Sequence, residues 1–153
     1  MHSIHTIMES DRLAQLVLCK LQIMQLLRRL AAQQLEVISG GDMSNLLKLL
    51  AAKQTVMDQL AKAEQQLDPF RSQDPDARDW PSAGAREVCQ RNVETCNELL
   101  SEIMRLEKQA ELEMVRRRDD ASVRLAGMHG ASEARHAYVA AAAATGLGLS
   151  TEG

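Results

Sequence analysis

The stretch SGGDMSNLLKLLAAKQTVMDQLAKAEQQL, residues 39–67, decides the fold. It opens with two glycines, which can adopt the left-handed conformation that ends a helix, and with Asp42, which can cap the next helix. Beyond this turn, apolar residues recur at alternating three- and four-residue steps that only Lys53 and Glu64 interrupt. The spacing predicts a helix over residues 43–67 with a heptad-like seam. The seam residues are Met43, Leu46, Leu50, Met57, Leu60 and Leu67.

Two further long helices are predicted, one on each side of this stretch. A helix over residues 8–38 carries an apolar stripe wide enough to contact two partner helices. Because the glycine turn that follows it is short, the first two helices are expected to lie antiparallel. A third helix is predicted over residues 85–127, with its densest apolar stripe at Cys89, Val93, Cys96, Leu99, Leu100, Ile103, Leu106 and Ala110.

Residues 68–84 form the predicted connector between the second and third helices. All three prolines of the chain fall within it, and proline interrupts a helix because it lacks the backbone N–H and clashes with the preceding turn. The connector also contains the single phenylalanine, Phe70, and the single tryptophan, Trp80. We expect these rings to pack the connector onto the helices, with contact to a partner protein as the alternative.

The predicted fold is all-α, an antiparallel bundle of three long helices that occupies residues 1–127. At ~1.5 Å per residue the third helix is roughly 63 Å long and the second roughly 37 Å, so the C-terminal part of the third helix is expected to overhang. Residues 128–153 are expected to form a mobile C-terminal tail, in which residues 132–144 could form a short helix because alanine favours helix but provides little apolar area.

Composition and charge exclude several classes of protein. The chain of 153 residues has a net charge of −3, and the run of three arginines at 116–118 is followed at once by Asp119 and Asp120, so no nucleic-acid partner is expected. Polar residues interrupt the apolar run over residues 13–30, so no stable membrane insertion is expected. Three cysteines in no paired pattern are typical of reduced thiols, and we expect a cytoplasmic protein.

No residue pattern predicts catalysis. Cys89 and Cys96 are seven residues apart on one helix face, which is typical of two core thiols. His129 and His136 share that spacing, but no ligand pattern of Cys, Asp or Glu surrounds them. We therefore expect no catalytic residue, no metal site and no cofactor, and a protein that is not an enzyme. What remains is an amphipathic C-terminal helix, a surface that suits the binding of another helix.

Two local patterns carry a resemblance to a known family. The first is GDMSNLLKLLAAKQTVMDQLAKAE, a Gly-Asp turn that opens a leucine-rich helix, with Asp42, Leu46, Leu50 and Lys53 at the matching places. The second is VRRRDDASVRLAGMHGASEARHAY, a late helix followed by a short basic segment that ends in tyrosine. Over residues 13–138 the chain resembles the FlgN family of flagellar type III export chaperones, which are small, helical and cytoplasmic. The long connector and the alanine run after Tyr138 depart from the family's pattern.

The resemblance implies a function and a set of partners. Members of this family bind the C-terminal helices of the hook–filament junction proteins FlgK and FlgL, prevent their premature assembly and deliver them to the export gate component FlhA. The resemblance implies cargo contacts in the late helix and places export-gate docking at Tyr138. The implied cargo-binding residues are Met114, Val115, Arg117, Arg118, Ala121, Arg124, Leu125 and Met128.

A second hypothesis from another class stays open. The same helices would suit a structural coiled-coil adaptor, or a self-associating bundle whose C-terminal stripe meets its own copy in a homodimer.

Overall fold

The computed structural model describes the backbone of residues 4–151 and the side chains of residues 4–144. Its elements are α1 (Ile4–Gly40), α2 (Met43–Arg71), a short 3₁₀ turn (Pro75–Ala77) and α3 (Ala83–Thr151). No strand is present within this range. The prediction of an all-α fold is confirmed, with three helices that pack together.

The turn between α1 and α2 is built as the sequence predicts. Gly41 adopts a positive φ of 75°, and its N–H donates to the Ile38 carbonyl at 3.1 Å while the Asp42 N–H donates to the Val37 carbonyl at 3.2 Å. These two bonds are the glycine-dependent pair that closes a helix C-terminus. The Asp42 carboxylate accepts from the Asn45 N–H at 3.1 Å and so caps α2.

The predicted end of the second helix, at residue 67, is wrong. Helix α2 continues to Arg71 with Pro69 inside its last turn. Proline there loses only one backbone donor, and the turn gains side-chain contacts, because the Arg71 guanidinium pairs with both Glu64 and Asp68. Phe70 therefore lies on a helix, and the connector is shorter than the predicted range of 68–84.

The predicted end of the third helix, at residue 127, is also wrong. Helix α3 runs without interruption from Ala83 to Thr151, so the separate short helix predicted over residues 132–144 is part of it. Each helical glycine costs about 1 kcal/mol relative to alanine. Gly127 and Gly130 do not end α3, because the alanine-rich segment that follows them has a high helix propensity. Residues 152–153 of the predicted tail lie outside the described range, and the mobility of the rest stays a prediction.

The chain divides into two compact units, residues 1–113 and residues 114–153. Within residues 4–144, every buried residue belongs to unit 1, whose core forms three clusters along its length, and each cluster draws residues from α1, α2 and α3. The first cluster is Leu13, Val17, Leu67 and Cys89; the second is Leu21, Met24, Leu27, Val56, Cys96 and Ile103; the third is Ile38, Leu46 and Ala110. Phe70 and Trp80 pack against the first cluster, which confirms the expected role of these two rings.

Ion pairs join the three helices at the residues that interrupt the predicted seam. Lys53 pairs with Glu107 on α3, and its ammonium also donates to Gln34 on α1 at 3.2 Å. Glu64 accepts from Lys20 on α1 at 2.6 Å. A shift of one helix against another would separate these partners, so the charged interruptions specify the register of the bundle.

The seam itself is only partly as predicted. Leu46 and Leu67 are buried and Leu60 is partly buried, but Met43, Leu50 and Met57 are exposed. The buried positions also include Val56 and Ala63. The reason is that α2 contacts both α1 and α3, so its core face lies between two partners instead of along one strict heptad line.

Candidate functional site

Over the residues whose side chains the structure describes, 114–144, unit 2 is a helix with no buried apolar side chain. In residues 114–144 every described side chain is exposed except Arg117, which is half-buried. The exposed apolar residues are Met114, Val115, Val123, Leu125, Met128, Tyr138 and Val139. Scattered exposed apolar residues are ordinary, but a contiguous row of them indicates a contact surface.

Four of the eight predicted cargo contacts share one face of this helix. At about 100° per residue, Met114, Ala121, Leu125 and Met128 follow one another at steps of seven, four and three residues. We call these four residues the unit 2 stripe. Val139, which the sequence analysis did not single out, continues the stripe eleven residues after Met128 and is also exposed.

The remaining apolar residues lie elsewhere on the helix. Val115 follows Met114 directly and is therefore about 100° around the helix from the stripe. Val123 lies about 160° from Leu125, and its side chain is 71% exposed. The structure thus brings four predicted apolar contacts together and separates Val115 from them.

Arginines border the unit 2 stripe on both sides. Arg118 is four residues after Met114, Arg117 is four residues before Ala121 and Arg124 is three residues after it, so all three neighbour stripe residues on the helix surface. Arg118 lies 3.6 Å from the Asp119 carboxylate. Residues 114–144 contain five arginines and three carboxylates, although the whole chain has a net charge of −3. The rim of the stripe is therefore locally basic.

Tyr138 lies within α3 and its side chain is 78% exposed. It precedes Val139 directly, so it points about 100° away from the face that carries the stripe. A contact through Tyr138 and a contact through the stripe would therefore use different faces of the helix.

Unit 1 has an exposed apolar patch, and three of its four residues were predicted to lie on the apolar stripes of the second and third helices. Lys53 on α2 and Glu107 on α3 contact each other. Each patch residue lies three, four or seven positions along its own helix from Lys53 or from Glu107. Such residues share the helix face of the paired residue. They are Leu50 and Met57 on α2 and Leu100 and Met104 on α3, all exposed. We call them the α2–α3 patch; the interruption of the seam by a lysine was the sequence signal for it.

No constellation for chemistry stands out in the described part of the chain. Burial raises the pKa of Cys89, with Arg78 acting weakly in the opposite direction, and burial likewise raises the pKa of Cys96. Both thiols therefore stay protonated and are poor nucleophiles at neutral pH. In the part of the chain that the structure describes, no group of three His, Cys, Asp or Glu side chains could hold a metal ion.

His129 contacts Glu133 at 3.0 Å, one turn away on the same helix. In residues 4–151, no helix combines the length and the apolar character needed to cross a bilayer.

Comparisons with family models, with curated proteins and with solved structures found no match to this chain.

Proposed function

We propose that this chain is a cytoplasmic export chaperone of the FlgN type. It binds the C-terminal helices of hook–filament junction proteins of the FlgK and FlgL type, keeps them from assembling early, and delivers them to an export gate component of the FlhA type. The observation that carries the proposal is the helix of residues 114–144, whose apolar side chains are all exposed. The sequence resemblance supplies the identity of the cargo.

The physical basis of cargo binding is the burial of two amphipathic faces against each other. An assembly helix without its partner exposes an apolar stripe, and the unit 2 stripe offers a complementary surface for it. The arginines at the rim favour a cargo helix whose apolar face is bordered by carboxylates. A complex of this kind that buries ~1,600 Å² would be of standard size.

We also propose that the helices of unit 1 run antiparallel from α1 to α2 and from α2 to α3. In support, the core joins Leu13 near the start of α1 to Leu67 near the end of α2, and Ile38 near the end of α1 to Leu46 near the start of α2. The buried residues of α3 end at Ala110. The overhang of the C-terminal part of α3 stays a prediction.

The decisive experiment measures the binding of a junction-protein C-terminal helix to matched variants by isothermal titration calorimetry. Leu125→Glu places a charge in the unit 2 stripe, whereas Val123→Glu places the same charge on the opposite face of the same helix. A buried leucine contributes about 1.5–3 kcal/mol, so we expect Leu125→Glu to weaken binding at least about tenfold and Val123→Glu to leave it within about twofold. Equal effects of the two variants would contradict the proposed site.

A third variant, Met104→Glu, tests the α2–α3 patch as the alternative cargo surface. Loss of binding in Met104→Glu, with Leu125→Glu unaffected, would move the cargo site from unit 2 to unit 1. Circular dichroism of each variant shows whether the helices are intact, since Leu125, Val123 and Met104 are all exposed.

The assignment of gate docking to Tyr138 has its own test. Because Tyr138 lies on a different face from the stripe, Tyr138→Ala should leave cargo affinity unchanged and weaken binding of the chaperone–cargo complex to the cytoplasmic domain of an FlhA-type gate protein. If cargo affinity and gate affinity fall together, the two roles do not belong to separate faces.

Self-association is the second candidate, and the spacing of the stripe favours it. Ala121, Leu125 and Met128 follow the four-three step of a coiled-coil seam. Sedimentation equilibrium of the free chain distinguishes self-association from cargo binding. A stable dimer that Leu125→Glu dissociates would support the structural adaptor, and a monomer would leave the stripe available to bind cargo.

A further inference from the structure

A cavity of about 470 Å³ opens to solvent at one end of the unit 1 bundle, lined by α1, the end of α2, the connector and the start of α3. Its volume is within the range of roughly 300–1,000 Å³ that is typical of small-molecule sites. It belongs to neither the unit 2 stripe nor the α2–α3 patch. Its apolar wall consists of Leu13, Val17, Leu67, Phe70, Pro75, Trp80, Cys89, Val93 and Cys96.

The polar part of the lining is cationic. Four basic side chains line the cavity, Lys20, Arg71, Arg78 and Arg86, together with the amides of Gln90 and Asn97, and no carboxylate is among the lining residues. An apolar cavity with a basic polar part is complementary to a ligand that joins a hydrocarbon group to an anionic group.

Three of these four cations already have carboxylate partners outside the lining. Lys20 lies 2.6 Å from Glu64, Arg71 pairs with Glu64 and Asp68, and Arg86 lies 3.2 Å from Asp76. Such pairing neutralises most of the positive charge at the cavity. The site therefore suits a ligand with a single negative charge better than a doubly charged phosphate.

Arg78 is bound differently from the other three. Its guanidinium donates to the Phe70 carbonyl and, at 3.5 Å, to the Gln73 amide oxygen, and it lies over the Phe70 ring, 5.8 Å from the centroid. These contacts hold the guanidinium in place and leave part of its five N–H donors for another acceptor. Arg78 is thus the lining cation that is positioned for a ligand carboxylate.

Trp80 supplies a second donor without a partner. Its indole Nε1 is buried and has no hydrogen-bond acceptor among the residues that the structure describes. A buried N–H without an acceptor is unfavourable and is uncommon in folded proteins. Trp80 lines the same cavity as Arg78 and is two residues away from it in the connector.

We propose that this cavity binds an apolar carboxylate. Arg78 and the indole N–H of Trp80 contact the carboxylate, and the hydrocarbon part lies against Leu13, Val17 and Val93. Two sources share this chemistry: a free medium-chain acid, and the C-terminal carboxylate of a peptide that ends in an apolar residue. The site is independent of the export-chaperone proposal, because none of its residues belongs to unit 2.

Intrinsic fluorescence is the direct test, because Trp80 is the only tryptophan of the chain. The full chain is titrated with decanoate and decyltrimethylammonium below their micellar concentrations, and with decanol below its solubility limit. We expect the emission of Trp80 to respond to decanoate at a concentration at least about tenfold lower than to the other two, since a charged hydrogen-bonded pair is worth about a factor of ten or more. Equal affinity for decanoate and decanol, or no binding of decanoate, would overturn the proposal.

Matched variants locate the carboxylate contact. Arg78→Gln should lower the affinity for decanoate to that for decanol and leave decanol binding unchanged. Arg105→Gln is the control, because Arg105 is an exposed arginine of α3 outside the lining. An unchanged preference for decanoate in Arg78→Gln would overturn the assignment of Arg78. Val93→Phe, at an exposed position of the lining, should weaken the binding of both ligands because it fills the cavity.

The indole N–H and the source of the carboxylate are resolved by NMR. A single tryptophan gives one indole ¹H–¹⁵N signal, and we expect decanoate, but not decanol, to shift it strongly downfield. Titration with a peptide that ends in leucine, as the free acid and as the amide, separates the sources: tighter binding of the acid than of both the amide and decanoate identifies a peptide terminus, and tighter binding of decanoate identifies a free acid. An indole signal that responds equally to decanoate and decanol would refute the hydrogen bond to Trp80.

Discussion

Units 1 and 2 contain the same kind of amphipathic helix in different surroundings. Apolar residues recur at three- and four-residue steps in both units, yet Leu27 in unit 1 is 4% exposed and Leu125 in unit 2 is 66% exposed. In unit 1 two other helices cover the stripe, whereas no described side chain covers it in unit 2. An apolar stripe therefore predicts an amphipathic helix but does not specify whether its partner belongs to the same chain.

The largest expected difference between the units is in the response to a leucine truncation. Leu27→Ala removes side-chain atoms from the core and leaves a cavity, so we expect the free energy of unfolding to fall by about 2–5 kcal/mol. Leu125→Ala, the matched change in unit 2, should alter it by less than about 0.5 kcal/mol. Urea denaturation followed by circular dichroism measures both. A large loss in Leu125→Ala would mean that the free protein already covers this leucine.

A smaller difference is expected between the ion pairs of the two units. The Lys53 side chain is only 17% exposed, so Glu107→Ala leaves a partly desolvated ammonium without its carboxylate, and we expect a loss of about 1–2 kcal/mol. Asp120→Ala removes the exposed pair with Arg116 in unit 2 and should cost less than about 0.5 kcal/mol.

The double variant Lys53→Met/Glu107→Leu extends this comparison. It replaces both charges by apolar groups and should restore most of the stability lost in Glu107→Ala. If the double variant does not recover the lost stability, the ion pair stabilises the fold by more than the mutual neutralisation of its two charges.

The smallest effects are expected at two glycines, one in the turn that ends α1 and one inside helix α3. Gly41 has a φ of 75°, so Gly41→Ala should destabilise the protein by about 1 kcal/mol because alanine is strained there. Gly127 is helical and a Cβ built on it meets nothing within 4 Å, so Gly127→Ala should stabilise the unit 2 helix by up to about 1 kcal/mol. Amide hydrogen exchange over residues 114–144 measures the second effect. Faster exchange in Gly127→Ala would contradict a continuous helix.

Local rules predicted the parts of the fold that neighbouring residues control. The glycine turn and the Asp42 cap depend on residues close in sequence, and both appear as expected. The predicted ends of α2 and α3 were wrong because the prediction gave too much weight to proline and glycine as residues that end a helix. Pro69 was tolerated in a last turn that Arg71 stabilises, and Gly127 was outweighed by the alanines that follow it.

The candidate sites were predictable to different degrees. The unit 2 stripe can be predicted from residue spacing alone, because the residues that share a face of a single helix depend only on the helical period. The cavity could not be predicted, because Lys20, Arg71 and the connector residues Arg78 and Trp80 come from three segments of the chain that only packing brings together. Its charge is equally a property of packing, since it depends on which carboxylates lie beside which cations.

The sequence by itself determined the all-α class, the turn between α1 and α2 and the amphipathic face of residues 114–144, because each depends on contacts within a few residues or on helical periodicity. Only the tertiary structure decided which apolar residues are buried, how Lys53 and Glu64 are paired, and where a cavity with a basic lining forms. Burial and charge pairing depend on residues far apart in the chain, and their separation in space is set when the three helices pack.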